Sequence, residues 1–141
     1  MGETTSAPII VGFDGSEAST DALRQAREMA DALDRPVVVL VAWRYSSLSG
    51  VGGLMNLWGA FGDAERAALD AVRAVYGESV PDRVAVELVD GAPADELVRA
   101  SDRASMLVVG SRGLGGLGQL LLGSVSAPVA EHARCPVLVV H

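Results

Sequence analysis

The chain has 141 residues, a hydrophobic fraction of 50% and a formal net charge of −7. This length predicts one globular domain over residues 1–141, and the composition excludes a disordered chain. The acidity argues against a nucleic-acid partner, because proteins that bind phosphate backbones usually present a basic face. All 11 cations are arginines, which excludes a Walker lysine and a lysine Schiff base. Cys135 is the only cysteine and cannot form an internal disulfide.

Apolar runs alternate with helical periodicities along the chain. Residues 1–7 are polar; we expect them to be flexible, and they lack the basic start and apolar run of a secretory signal. No apolar stretch approaches the roughly 18–20 residues that span a bilayer, so we expect a cytoplasmic protein without a membrane partner. In chain order the pattern predicts a strand at 8–13, a helix at 17–34, a strand at 37–42, an irregular segment at 43–60, a helix at 63–76, a strand at 84–89, a helix at 93–103, a strand at 106–109, a glycine-rich stretch at 110–123, a short helix at 124–133 and a strand at 136–140.

Several residues mark the ends of these elements. Ser16 is a good N-cap for the first helix. Gly77 is predicted as the C′ residue after the second helix, and Pro93 as the first residue of the third. The irregular segment 43–60 contains glycines, serines and large apolar residues. A segment this long in a compact domain is usually functional or mobile, and we interpret it either as packing over the sheet or as a lid or partner surface.

The β-α-β-α-β-α-β-α-β alternation predicts an α/β fold, in which a doubly wound, five-stranded parallel sheet has helices on both faces. Continuous apolar strands are typical of such a doubly covered sheet. Only the third strand alternates apolar and polar residues, which favours an edge position. The fifth strand, residues 136–140, carries no charge.

The glycine-rich stretch between the fourth strand and the last helix is the strongest functional signal. It begins Gly110-x-x-Gly113 and, after nine residues, ends at Gly123-Ser124. Ligands of open α/β sheets bind beyond the carboxyl ends of the strands, and glycine lets the backbone approach a ligand that a Cβ would block. The amides of residues 124–126 would open the last helix without internal acceptors, so we expect a phosphate site there. The alternative is that the glycines only provide flexible turns.

With its flanks, this motif resembles the ATP-binding branch of the universal stress protein family. The flanks are Val108-Val109 and Cys135-Pro-Val-Leu-Val139, and Asp14-Gly15-Ser16 and Gly91-x-Pro93 are similar to that family as well. The resemblance extends over nearly the whole chain. It implies a Rossmann-like sheet of the adenine nucleotide alpha hydrolase type in the order 3-2-1-4-5, a homodimer, and binding of ATP with Mg²⁺. In that order the fifth strand, residues 136–140, is the second edge of the sheet, and because no charge protects it we predict that the homodimer forms through this strand.

The resemblance also implies a nucleotide site, with Asp14 facing the nucleotide and its Mg²⁺. Adenine would be bordered by Gly12 and Ala42, with Val109 beneath it. The ribose and phosphates would lie against the two parts of the motif, namely Gly110, Gly113, Gly123, Ser124, Val125 and Ser126.

Some residues have simpler interpretations. Asp14 is alternatively only a turn residue or a cap. Pro128 departs from the family pattern, because proline lacks an amide and disfavours helical geometry at the preceding residue. Ser124 and His132 lie on the same predicted helix, about 12 Å apart in rise, which is too far for a nucleophile and its base, so no catalytic triad is predicted.

Three functions follow as hypotheses. The leading one is an ATP-binding regulatory protein of the universal stress response, with a regulatory protein partner and at most slow ATP hydrolysis, because no general base is poised over a γ-phosphate. The second is an adenylate-forming or ATP-hydrolysing enzyme of the same fold, which the short Asp14-Gly15-Ser16 turn disfavours. The third is a nucleotide-independent protein-interaction module, which the intact glycine motif disfavours.

Overall fold

A computed structural model of the chain describes residues 6–43, 53–111 and 123–141, and for residues 53–61 it describes the backbone alone. The strands are β1 (Ile9–Gly12), β2 (Val37–Trp43), β3 (Val84–Asp90), β4 (Met106–Gly110) and β5 (Val137–Val140). All are parallel and form one sheet in the order β3-β2-β1-β4-β5. The predicted α/β class and strand order are therefore confirmed.

The apolar character of the central strands is explained by their position between two layers of helices. In β1, Ile9, Ile10 and Val11 are fully buried, as expected for a parallel strand covered on both faces. β3 and β5 are the edges, and all four residues of β5 are only partly buried. The edge position predicted for the third strand is confirmed.

The helices are α1 (Glu17–Leu33), α2 (Gly53–Tyr76), α3 (Pro93–Ala100) and α4 (Ser126–His132). Buried residues of α1 and α2, such as Leu23 and Val72, share one core cluster with one face of the sheet. Leu97 of α3 and Val129 of α4 belong to a second cluster on the other face. The fold thus has helices on both sides of the sheet, as a doubly wound sheet requires.

The local signals for helix ends are confirmed. The Ser16 hydroxyl oxygen accepts a hydrogen bond from the Ser19 amide (3.1 Å) at the start of α1. Gly77 follows α2 with φ +86° and donates its amide to the Arg73 carbonyl (2.8 Å), which is the geometry that favours glycine at this position. Pro93 is the first residue of α3.

The prediction of an irregular segment at 43–60 is wrong for its second half, because α2 begins at Gly53. Glycine in a helix costs about 1 kcal/mol relative to alanine, which is why the glycine content favoured a loop. The competing signal is the spacing of Leu54, Leu57, Trp58 and Phe61 at i, i+3, i+4 and i+7, which is typical of an amphipathic helix. The rest of that segment, residues 44–52, lies outside the described residues.

Among the described parts of the chain, α2 included, no helix is long and apolar enough to cross a membrane.

Candidate functional site

At the carboxyl edge of the sheet, neighbouring strands near the centre end at different levels. β1 ends at Gly12, level with Leu40 of β2, whereas β2 continues to Trp43. On the other side of β1, β4 ends at Gly110, opposite Val140 of β5. β2 and β3 lie on one side of β1, whereas β4 and β5 lie on its other side. The point between β1 and β4, where the order of the strands reverses, is called the switch point, and open α/β sheets bind ligands there. This edge is therefore the candidate site.

Gly12 and Gly110 make room for other parts of the protein. A Cβ at Gly110 would lie 2.8 Å from the Ala18 Cβ and 3.0 Å from the Ala18 carbonyl carbon and oxygen. A Cβ at Gly12 would lie 2.8 Å from the Leu97 Cδ1 and 3.3 Å from the Val109 Cγ1. Carbon atoms in ordinary contact are about 3.5–4.0 Å apart. Close packing of α1 and α3 against the strand ends is thus sufficient to explain both glycines, independently of the predicted contact with a nucleotide.

Asp14 lies in the turn that joins β1 to α1, and its side chain is exposed at the same edge. Its Oδ1 accepts a hydrogen bond from the Ser16 amide (2.9 Å), and Gly15 takes a φ of +87° that glycine adopts without strain. Asp14 is therefore a turn residue, and its contact with Mg²⁺ stays a prediction. Within the described ranges, no group of three or more His, Cys, Asp or Glu side chains is placed to hold a metal.

The two ends of the glycine-rich motif meet beyond β4. The Gly123 amide donates to the Ser111 carbonyl (2.7 Å) and to the Ser126 hydroxyl oxygen (2.8 Å). The Ser126 hydroxyl in turn donates to the Ser111 carbonyl (3.1 Å), and the Ser111 amide donates to the Val140 carbonyl of β5 (2.8 Å). Gly123 is therefore fixed to the carboxyl edge of the sheet.

The last helix starts later than predicted. α4 begins at Ser126 and has 7 residues. The predicted short helix is therefore present, but Ser124 and Val125 form a turn before it and the predicted start at about Ser124 is two residues too early. Pro128 lies in the first turn of α4, where amides have no acceptor within the helix, which explains why the proline is tolerated there. Ser124 is exposed and is thus the serine of this segment whose side chain faces solvent.

The remaining predicted residues lie as follows. Ala42 is partly buried and pairs with Val89 of β3, on the part of β2 that extends beyond β1. Val109 is 3% exposed and belongs to the core cluster beneath α3 and α4. Gly113 lies outside the described residues. The other predicted residues lie at one edge of the sheet, and their contacts with a nucleotide stay predictions.

Shifted pKa values are found at the opposite, amino edge of the sheet. Burial, followed by the negative charge of Asp31, raises the pKa of the Tyr76 phenol, against the opposing effect of Arg27 and Arg83. Burial also raises the pKa of the Cys135 thiol, which favours the unreactive protonated form. Neither group is therefore a candidate for chemistry at the switch point.

Two surface clefts lie away from the switch point. A cleft of about 490 Å³ runs along the outer surface of α3 and α4, and its lining includes Val98 and His132. A second, of about 500 Å³, lies between α2 and the edge strand β3, and its lining includes Leu69 and Val86. Both are open surface features that the sequence did not predict.

Comparison with known families gives a consistent result. The family model described as "Universal stress protein family" matches residues 6–141. A universal stress protein of Mycobacterium tuberculosis is 38% identical over 135 residues, which cover 94% of this chain and 44% of that protein. One of Methanocaldococcus jannaschii is 31% identical over 144 residues, which cover 99% of this chain and 84% of that protein. The chain thus spans less than half the length of the first relative and most of the second.

Solved structures have the same fold. The universal stress protein UspA from Lactobacillus plantarum matches 99% of this chain and 100% of its own with a TM-score of 0.82, at 20% identity. A universal stress protein in complex with cAMP is 30% identical, with a TM-score of 0.64 and 98% of each chain covered. One from Archaeoglobus fulgidus in complex with dAMP is 22% identical, with a TM-score of 0.72 over 98% of this chain and 100% of that chain. With its sheet order, its glycine-rich motif and a family match over nearly its whole length, this chain belongs to the universal stress protein family.

Proposed function

We propose that this universal stress protein is a regulatory protein that binds ATP with Mg²⁺ at the carboxyl edge of its sheet. The observation that carries the proposal is the hydrogen-bonded junction of Ser111 and Gly123, because it brings both ends of the glycine-rich motif to the switch point. The relative that is 30% identical was solved in complex with cAMP, which supports an adenine nucleotide as the ligand.

The charges of the protein favour a nucleotide bound together with its metal. The chain has a net charge of −7 and no lysine, so the phosphates of ATP approach a protein whose net charge has the same sign. Mg²⁺ would offset this repulsion, with Asp14 as its protein ligand and phosphate oxygens and water completing its coordination. The exposed hydroxyl of Ser124 would donate to a phosphate oxygen, and Ala42 would border the adenine.

A pair of charge-adding variants tests the location of the site. Ser124 and Ser79 are both exposed serines in turns, but Ser124 follows the glycine motif and Ser79 lies after α2, at the amino edge. Ser124→Glu places a carboxylate where the phosphates are proposed and should weaken ATP binding by at least about tenfold, a loss of about 1.4 kcal/mol. Ser79→Glu adds the same charge and should leave the affinity within about twofold. Calorimetry of nucleotide-free protein with ATP and Mg²⁺ measures both, and equal affinities for the two variants would contradict the proposed site.

Turnover distinguishes a regulatory protein from an enzyme. We expect each protein molecule to bind ATP and to release ADP slowly, because within ranges 6–43, 53–111 and 123–141 no residue is identified as a general base for the γ-phosphate. Incubation with excess ATP and chromatographic analysis of ADP and AMP over time measures this. Rapid multiple turnover would favour the enzyme hypothesis, and the absence of any ATP binding would favour the interaction module.

We further propose that the chain forms a homodimer through β5. All of Val137–Val140 is partly buried and uncharged, and an unprotected apolar edge invites pairing with a copy of itself. Val139→Lys should give a lighter species in sedimentation than the parent. Val86→Lys places the same charge at a partly buried valine of the other edge strand, β3, and should leave the dimer intact. A parent that sediments as a monomer at micromolar concentration would rule out this interface.

A further inference from the structure

We infer that Ser126 is a positioning residue for the proposed nucleotide site, acting through a buried hydroxyl that joins the two ends of the glycine-rich motif. The inference has two parts. The hydroxyl restrains the backbone of Gly123 and Ser124, and this restraint raises the affinity for ATP. The second part rests on the proposed function, and the first does not.

The hydrogen bonds of Ser126 differ from those of a phosphate ligand. Ser126 is 1% exposed and Ser111 is 7% exposed, so the cluster is enclosed by protein. The Ser126 hydroxyl accepts from the Gly123 amide at 2.8 Å and donates to the Ser111 carbonyl at 3.1 Å. Because a serine hydroxyl has one proton to donate, this hydroxyl does not donate to a phosphate in the same arrangement. The Ser126 hydroxyl therefore makes its contacts within the protein, and the contact of Ser126 with a phosphate stays a prediction.

A series of hydrogen bonds connects the sheet to the backbone next to Ser124, the exposed serine. The Ser111 amide is held by the Val140 carbonyl at 2.8 Å, which fixes the end of β4. Gly123 shares its amide between the Ser111 carbonyl and Ser126, and its own carbonyl accepts from the Ala127 amide at 3.1 Å. Ser124 follows directly in the chain. Loss of the Ser126 hydroxyl would leave Gly123 with one of its two acceptors, and a ligand would then have to order this backbone on binding, which reduces affinity.

Ser101 offers a matched control at the other edge of the sheet. It is 3% exposed, and its hydroxyl also joins two backbone groups, donating to the Val98 carbonyl and accepting from the Arg134 amide (2.9 Å). Ser101→Ala and Ser126→Ala therefore remove the same chemical group from equally buried sites. A general loss of stability affects both variants, whereas a positioning effect is confined to Ser126→Ala.

Two measurements test the inference. Amide hydrogen exchange by NMR, on nucleotide-free protein, should show Gly123 exchanging about tenfold faster in Ser126→Ala. This factor corresponds to about 1.4 kcal/mol, which is within the range for the loss of one buried hydrogen bond. In Ser101→Ala, Gly123 should exchange at the parental rate. Calorimetry below the unfolding transitions of all variants should show the Kd for ATP about fivefold higher in Ser126→Ala and unchanged in Ser101→Ala. Ser126→Thr, which keeps the hydroxyl, should restore both values.

The outcomes separate the inference from the proposed function. Unchanged exchange of Gly123 in Ser126→Ala, or the same loss of affinity in both alanine variants, would overturn the inference. A parent that binds no ATP contradicts the proposed function, and the exchange of Gly123 then decides whether Ser126 restrains the motif. If the additional methyl group prevents Ser126→Thr from folding, the comparison of the two alanine variants decides in its place.

Discussion

Replacing Gly110 with alanine should destabilise the fold even in the complete absence of nucleotide. The added Cβ would lie 2.8 Å from the Ala18 Cβ and 3.0 Å from the Ala18 carbonyl carbon and oxygen. Ordinary carbon contacts are about 3.5–4.0 Å, so either α1 or the end of β4 must move by about 0.5–1 Å. The obstacle includes backbone of the first turn of α1, which cannot rotate away as the end of a side chain can.

The expected loss follows from this overlap. Forcing an extra carbon into a packed site costs about 1–3 kcal/mol. For an m-value of about 2 kcal/mol/M in urea, a loss of 2 kcal/mol lowers the unfolding midpoint by about 1 M. Urea unfolding of nucleotide-free protein, monitored by circular dichroism at one protein concentration, measures the change.

Two other glycines serve as controls. Gly62 lies within α2 with nothing within 4 Å of its ideal Cβ, so Gly62→Ala should stabilise the protein by about 0.5–1 kcal/mol. Gly12→Ala meets chiefly the side-chain methyl groups of Leu97 and should cost less than Gly110→Ala, because a methyl group moves more easily than backbone. If Gly110→Ala unfolds at the parental urea concentration and loses only ATP affinity, the packing argument is refuted and the glycine serves the ligand alone.

Three further predictions concern other parts of the chain. Ser16→Ala removes the hydrogen bond to the Ser19 amide and should lower the free energy of unfolding by about 1 kcal/mol; an unchanged urea midpoint would contradict the capping role. Asp14→Asn keeps an acceptor for the turn but removes the charge, so the ATP affinity should lose its Mg²⁺ dependence in calorimetry, and a parental response to Mg²⁺ would show that Asp14 serves the turn alone. The raised pKa of Cys135 predicts slower iodoacetamide alkylation than that of an unstructured cysteine peptide, with the rate rising at higher pH; coincident pH curves would refute it. Since the folded state keeps this proton to a higher pH than the unfolded chain, the contribution of the thiol to stability is complete below its unfolded pKa and is lost as the pH rises through the folded pKa.

Local sequence signals were sufficient for most of the fold. The ends of α1 and α2 follow from Ser16 and Gly77, and the apolar runs locate the strands, because these effects act within a few residues of the chain. The start of α2 is the exception. There the spacing of apolar residues from Leu54 to Phe61 favours a helix and the glycines favour a loop, and the helical spacing prevails.

The candidate site was predictable in position and less so in detail. The carboxyl edge follows from the alternation of strands and helices together with the glycine motif. The packing of Gly110 against Ala18 joins elements that are far apart in the chain, and no local pattern predicts it. The hydrogen bonds of Ser126 depend on where the chain returns after the motif, and the sequence alone suggests only that a serine lies near the start of a helix.

The contact between Gly110 and Ala18 also affects how related sequences should be read. A relative that has lost its nucleotide but keeps α1 at this distance from β4 still needs glycine at the position of Gly110. Exchanging Ala18 for glycine would remove only the methyl contact, because the helix carbonyl group stays 3.0 Å from the added carbon. The first glycine of the motif therefore reports the close packing of α1 against the end of β4. A divergent relative that keeps this glycine need not have kept nucleotide binding.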